Sequence, residues 1–248
     1  MSSPKDEVIR IENVSVWYRL PGEHIHTFKE YAIRMLEGKI QYKEFHALEA
    51  VNLQISRGEI VGIIGNNGAG KSTLLKVISR VLIPTQGRVF IKGRVTPMLE
   101  LGAGFHVELT GRENVFLNGT ILGHSHREIE AHMDDIIEFS ELGNFIDAPL
   151  RTYSSGMQAR LGFACATTWQ PEILILDEVL AVGDVSFRRK CEQRVLGFHN
   201  GRTTSLLVSH SLDTMLSLCE RIIWLDHGVM RMVGPSSEVV AAYRQAQG

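Results

Sequence analysis

The segment Gly65-Asn66-Asn67-Gly68-Ala69-Gly70-Lys71-Ser72 has the spacing G-x-x-x-x-G-K-[ST], which sets glycines, an ammonium and a hydroxyl on one short loop. Glycine lets successive backbone N–H groups turn inward on an anion, and a helix starting near Lys71 adds the positive end of its dipole. Such a loop cradles phosphates. Lys71 can neutralise the outer oxygens of a nucleoside triphosphate, Ser72 can ligate Mg²⁺, and Thr73 continues the helix start beside them. Ile173-Leu174-Ile175-Leu176-Asp177-Glu178 supplies the complementary chemistry, an apolar strand delivering two carboxylates to its end. Asp177 is placed for a magnesium shell, and Glu178 to orient or deprotonate an attacking water.

The elements that must hold these groups are legible around them. Glu59 to Ile64 is a short apolar run leading into the loop, and Leu74, Leu75, Ile78 and Leu82 then recur on one helical face, giving strand, loop, helix. Similar runs at Ile173–Leu176 and Ser205–Ser209 suit a parallel sheet covered on both faces. Val8–Tyr18 and Ala47–Ile55 read as strands of an N-terminal antiparallel lobe, and between them Ile25, Phe28, Ala32, Met35 and Leu36 predict an amphipathic helix ended by Gly38. After Thr110 the pattern turns helical. Ser125 and Glu128 have the spacing of a capping box that opens a helix running to about Leu142. Arg221–Leu225 and Val229–Val233 flank a hairpin turn at Asp226-His227-Gly228, and a last helix covers Ser237–Gln245. The expected fold class is α/β: a phosphate-loop core with a mostly parallel sheet, an antiparallel β lobe over about 1–58 carrying a helical insert at 24–40, and a helical lobe over about 100–165, all in a single domain spanning 1–248.

Composition narrows the setting. With 44% hydrophobic and 22% charged residues among 248, the chain can bury a sizeable core, and its formal net charge of −2 gives no general attraction to a nucleic-acid backbone. Cys165, Cys191 and Cys219 are far apart, without zinc-ligand spacing, and read as reduced, buried thiols of a cytoplasmic protein. Met1 to Arg10 is too polar for a secretory signal, and no stretch approaches the roughly 18 to 20 apolar residues of a membrane-crossing helix. Work at a membrane would need a separate spanning partner.

Tyr153-Ser154-Ser155-Gly156-Met157-Gln158, shortly before the Asp177 strand, resembles the signature motif of the ABC ATPases. The resemblance implies that two copies sandwich ATP, with Tyr153 to Met157 of one copy facing the γ-phosphate of the nucleotide held by the other. It makes His210, in Val208-Ser209-His210, the switch histidine beside the γ-phosphate and water. It makes Asp184, in Ala181-Val182-Gly183-Asp184, a residue coupling the two sites, and Tyr18 the aromatic that stacks on adenine, with Trp17 as the competing choice. The family's nucleotide-sensing glutamine is missing; within Gly93 to Glu100 the candidate substitute is Glu100, which the resemblance would place near magnesium.

Leu101-Gly102-Ala103-Gly104-Phe105-His106, Leu109-Thr110-Gly111-Arg112-Glu113-Asn114 and Asp177 to Asp184 are similar to the polysaccharide-exporter branch. That likeness implies ATP and Mg²⁺ as cofactors, a second copy and a transmembrane subunit dimer as partners, a lipid-linked glycan of O-antigen or teichoic-acid type as cargo, no nucleic acid, and a place on the cytoplasmic face of the bacterial inner membrane. It also implies that the 24–40 insert either meets the membrane subunit or the glycan head group, or is a surface helix over the β lobe. Some members carry a C-terminal carbohydrate-binding domain, and none is expected before Gly248. A nutrient importer's ATPase or a soluble ABC ATPase acting on DNA or ribosomes are the other readings. The absent glutamine argues against the first, and the lack of coiled coils, paired cassettes or basic extensions against the second.

Overall fold

The computed structural model describes residues 6–21, 42–98, 104–177, 184–198, 203–209 and 211–247. The helix expected at 24–40 lies outside them. Strands β1 (Glu7–Pro21) and β2 (Tyr42–Ser56) pair antiparallel, as their alternation predicts. Two further strands lie between the phosphate loop and the helical lobe: β4 (Gln86–Ile91) and β5 (Val95–Met98). β4 joins the free side of β1, giving a sheet ordered β2-β1-β4.

The larger sheet is ordered β5-β6-β7-β3-β8-β9 and contains β3 (Ile60–Ile64), β6 (Ile173–Asp177), β7 (Thr204–Val208), β8 (Arg221–Asp226) and β9 (Val229–Pro235). Its first five members are parallel, and β9 returns antiparallel through a turn at His227 and Gly228, both with positive φ.

The continuous apolar runs follow from burial on both faces. Ile173 and Ile175 pack with Val61, Ile63, Leu206, Val208 and Ile223 toward the three-stranded sheet and helix α1 (Lys71–Ile78). Leu174, Leu176, Leu207 and Ile222 point the other way, into a core shared with the helical lobe.

That lobe holds α2 (Gly111–Ile121), α3 (His126–Ala131), α4 (Met133–Ser140) and α5 (Ser155–Thr168). The Ser125–Glu128 capping box forms as expected, and Thr110 and Glu113 make a second one. The helix expected to run from Ser125 to Leu142 instead breaks at His132 (φ −106°, ψ 2°), resumes as α4 and stops at Glu141 in the left-handed region (φ 59°). His132 sets its ring edge against Trp169 at 5.7 Å, a tertiary contact that helical periodicity does not register. Helices α6 (Val185–Gly197), α7 (Leu212–Leu218) and α8 (Ser236–Gln247) complete the cover. All three cysteines are free and buried, and burial pushes each thiol up to about 12.

Asn114 holds the entrance to this lobe. It is fully buried. Its Oδ1 accepts from the His106 N–H at 2.6 Å, and its Nδ2 donates to the carbonyls of His106 (3.0 Å) and Thr110 (2.9 Å). Asn114→Ala leaves the His106 N–H without that acceptor, so stability should fall by about 2 kcal/mol. Urea unfolding that showed the same midpoint for both chains would contradict this role.

Candidate nucleotide site

The parallel strands β3, β6 and β7 all end at one edge, and the chemistry-bearing residues gather there. β3 runs directly into Gly65. The loop's shape rests on positive φ at Gly65 (150°), Gly68 (80°) and Gly70 (101°). At Gly65 a β-carbon would collide with the Leu225 carbonyl oxygen of β8, and at Gly70 it would lie 2.5 Å from the Ala47 carbonyl oxygen of β2.

Backbone bonds brace the loop. The Ala69 N–H donates to the Asn66 carbonyl (3.1 Å), the Gly228 N–H to the Ala69 carbonyl (3.0 Å), and the Glu49 N–H to the Gly228 carbonyl (2.9 Å). The hairpin turn at Gly228 thus pins the loop between the two sheets.

Lys71 is buried at 8% exposure, with its Nζ donating to the carbonyls of Gly65 (2.7 Å) and Asn66 (3.0 Å). Its charge sits at the mouth of the glycine cradle. Ser72 Oγ donates to Asp177 Oδ2 at 3.2 Å, joining the helix start to the end of β6 across 105 residues of sequence. Two hard oxygen ligands beside a phosphate cradle fit Mg²⁺, which takes few protein ligands and completes its shell with phosphate oxygens and water.

The Ser72 contact brings the loop from Gly65 to Thr73 together with Asp177. Tyr18 pairs with Phe45 on β2, two residues before the Ala47 carbonyl that faces Gly70, and is 39% exposed. Trp17 instead stacks on His46, with ring centroids 5.6 Å apart. Of the two candidates Tyr18 is the more exposed. Glu178, His210 and Glu100 lie outside the described residues; their neighbours Asp177 and Val208 are paired across β6 and β7.

The serine-glycine turn is elsewhere, at the start of α5. Ser154 caps that helix, its Oγ accepting from the Met157 N–H at 3.2 Å, and Ser154 and Ser155 are exposed. Tyr153 is buried, and its hydroxyl donates to the Phe145 carbonyl. It anchors the turn to the helical lobe. Asp184 caps α6, accepting from the N–H groups of Phe187 (2.9 Å) and Ser186 (3.0 Å), and those bonds with nearby Arg160 hold its carboxyl below the usual range.

Arg160 is the residue that sequence reasoning missed. It lies on α5, six residues after Ser154; it pairs with Glu141 and with Asp184 (2.7 Å), and its guanidinium lies over the Phe187 ring at 4.7 Å. One side chain ties the serine-glycine helix, the lobe and the Asp184 cap. Its signal was an arginine one helical turn beyond Gly156, whose partners are too distant in sequence to be inferred.

Residues 48–181 match the profile of the family described as ABC transporter. The chain belongs to the ABC transporter family. It is 51% identical over 228 residues to the O-antigen export system ATP-binding protein RfbB of Myxococcus xanthus, covering 91% of this chain and 52% of that protein. It is 48% identical over 215 residues to the RfbB of Klebsiella pneumoniae, covering 87% and 86%. The teichoic acids export ATP-binding protein TagH of Enterococcus faecalis is 45% identical over 200 residues, covering 81% and 44%.

The cassette thus spans about half the length of the Myxococcus and Enterococcus relatives and most of the Klebsiella one. It belongs with the polysaccharide-export branch. In fold it is similar to a dimeric ATP-binding cassette in a post-hydrolysis state with ADP and phosphate, at a TM-score of 0.73, 24% identity and coverage of 92% and 98%.

Gly70→Ala and Gly68→Ala separate close approach from conformational strain. A β-carbon at position 68 meets nothing within 4 Å, so only its positive φ opposes alanine, at about 1 kcal/mol. Position 70 adds the Ala47 carbonyl. Fluorescent-nucleotide titration should show binding weakened about tenfold or less in Gly68→Ala and lost in Gly70→Ala; equal effects would mean that contact with β2 is irrelevant.

Proposed function

We propose that two copies of this cassette close on ATP and, by binding and hydrolysing it, drive a lipid-linked polysaccharide of O-antigen or teichoic-acid type through a separate transmembrane subunit dimer. The observation that carries the sandwich is Ser154. Its hydroxyl caps α5 through an oxygen lone pair, which leaves the O–H proton available to an anion, and the residue is exposed. Exposed donors at a helix start suit a phosphate presented by another copy.

In this reading the loop from Gly65 to Ser72 receives the phosphates on its backbone N–H groups other than that of Ala69, and Lys71 exchanges its carbonyl partners for the γ-phosphate oxygens. Ser72 and Asp177 would hold Mg²⁺, which neutralises charge on the phosphates. Tyr18 stacks on adenine. Glu178 orients the attacking water and takes its proton, and His210 contacts the γ-phosphate. Arg160 gives closure a path: a shift of the serine-glycine helix moves Asp184 and, through Glu141, the end of α4.

Among the described residues no helix is long and apolar enough to cross a membrane. The cassette would act peripherally, on the cytoplasmic face of the inner membrane beside its spanning partners. The Myxococcus, Klebsiella and Enterococcus relatives, named for O-antigen and teichoic-acid export, support the cargo class.

Glu178→Gln should keep ATP binding, slow hydrolysis by about 100-fold or more and accumulate an ATP-bound dimer on size exclusion; normal turnover would remove Glu178 from the chemistry. Ser154→Ala should leave nucleotide binding to one copy intact but abolish the ATP-dependent dimer. The cargo is tested by co-purifying the membrane subunit and identifying its bound lipid by mass spectrometry. Recovery of a lipid-free small solute would refute the glycan assignment.

A further inference from the structure

The last helix touches the phosphate loop. Asn66, the loop's second residue, accepts two hydrogen bonds at its side-chain Oδ1, from the Tyr243 hydroxyl at 3.0 Å and from Gln247 Nε2 at 2.6 Å. Both lone pairs of that oxygen are thereby engaged. Tyr243 and Gln247 are four residues apart on α8, hence on one face, and lie 177 and 181 residues from Asn66 in sequence. Neither position belongs to the loop's own pattern.

The helix that carries them is anchored. Val239 and Val240 are buried in the core, and the Tyr243 ring sets its edge against Trp224 of β8, with centroids 5.5 Å apart at 83°. Burial and nearby Asp226 push the Tyr243 phenol up, so its hydroxyl keeps its proton throughout the neutral range. The other end of Asn66 works for the site: its carbonyl accepts from the Ala69 N–H, closing the loop's first turn, and from the Lys71 ammonium.

We propose that Tyr243 and Gln247 are positioning residues that hold the phosphate loop, through the Asn66 side chain, in the shape that receives ATP. This rests on the reading of Gly65 to Ser72 as an ATP cradle and adds a distant element to it. A loop with glycines at 65, 68 and 70 has much conformational freedom to lose when it orders around an anion. Tethering Asn66 removes part of that cost before the nucleotide arrives. Once ATP is bound, its phosphates order the loop themselves. The tether should therefore act on affinity and leave the saturated rate alone.

The test compares Tyr243→Phe, Gln247→Ala and the double variant with wild type, measuring the ATP-analogue Kd by fluorescence and KM and kcat by phosphate release. Phenylalanine retains the ring packing against Trp224, and thermal unfolding monitors the helix. The double variant should raise Kd and KM about three- to tenfold, with kcat within about twofold. In an Asn66→Ala background the same two changes should add nothing, because their acceptor is gone.

An unchanged Kd in the double variant would overturn the proposal, as would an equal loss in the Asn66→Ala background. Lys71→Ala separates the two readings. If wild type binds ATP and Lys71→Ala does not, a silent double variant refutes only the tether. A wild-type chain that bound no ATP would overturn the cradle and the tether together.

Discussion

Two missing β-carbons decide where everything else in this cassette can sit. Because Gly65 lies against the Leu225 carbonyl and Gly70 against that of Ala47, the loop between β3 and α1 is wedged between a strand of the large sheet and a strand of the small one. Neither sheet can shift against the other without distorting the cradle. The Gly228 turn, which bonds to Ala69 on one side and Glu49 on the other, closes the same wedge from above. Phosphate binding and the packing of the two sheets are therefore one structural problem.

The helical lobe adds charged contacts to its apolar core. The serine-glycine turn sits on α5, which meets the rest of the protein through apolar packing by Leu161 and Phe163 and through Arg160. Arg160 is only partly exposed, and its two carboxylate partners are on separate elements, so the pairing specifies direction as well as contact. Lys190 reinforces it by donating to Glu141 and to the Phe139 carbonyl.

How much was legible depended on whether the cause was local. The glycine loop, the runs of β3, β6 and β7, the Ser125 capping box and the His227-Gly228 turn are each set by residues within a few positions of one another, and each formed as expected. β4 and β5 are short, contain Gly87 and Pro97, and exist because β1 and β6 offer them partners. His132, where the helix breaks, meets Trp169 across the lobe, a contact set by the completed fold. Arg160 and Tyr243 carry no local mark of their roles, since their partners are brought near only by the completed fold. Leu109 to Asn114, which the sequence tied to an exporter branch, includes a buried asparagine that holds its own entry loop.

Among the described residues the large sheet ends on one side at β5, Val95-Thr96-Pro97-Met98. Pro97 has no N–H to offer, and β5 is only four residues long, so a further strand from another molecule would find a broken ladder there. At the far edge β9 carries Arg231, whose charge is tied back to Asp226. A sheet blunted in this way resists growing into a continuous ribbon with its neighbours. In the sandwich proposed above, two copies would instead meet through the loops at the carboxyl ends of the strands, a meeting that can be made and undone on every cycle, where a shared sheet would be permanent.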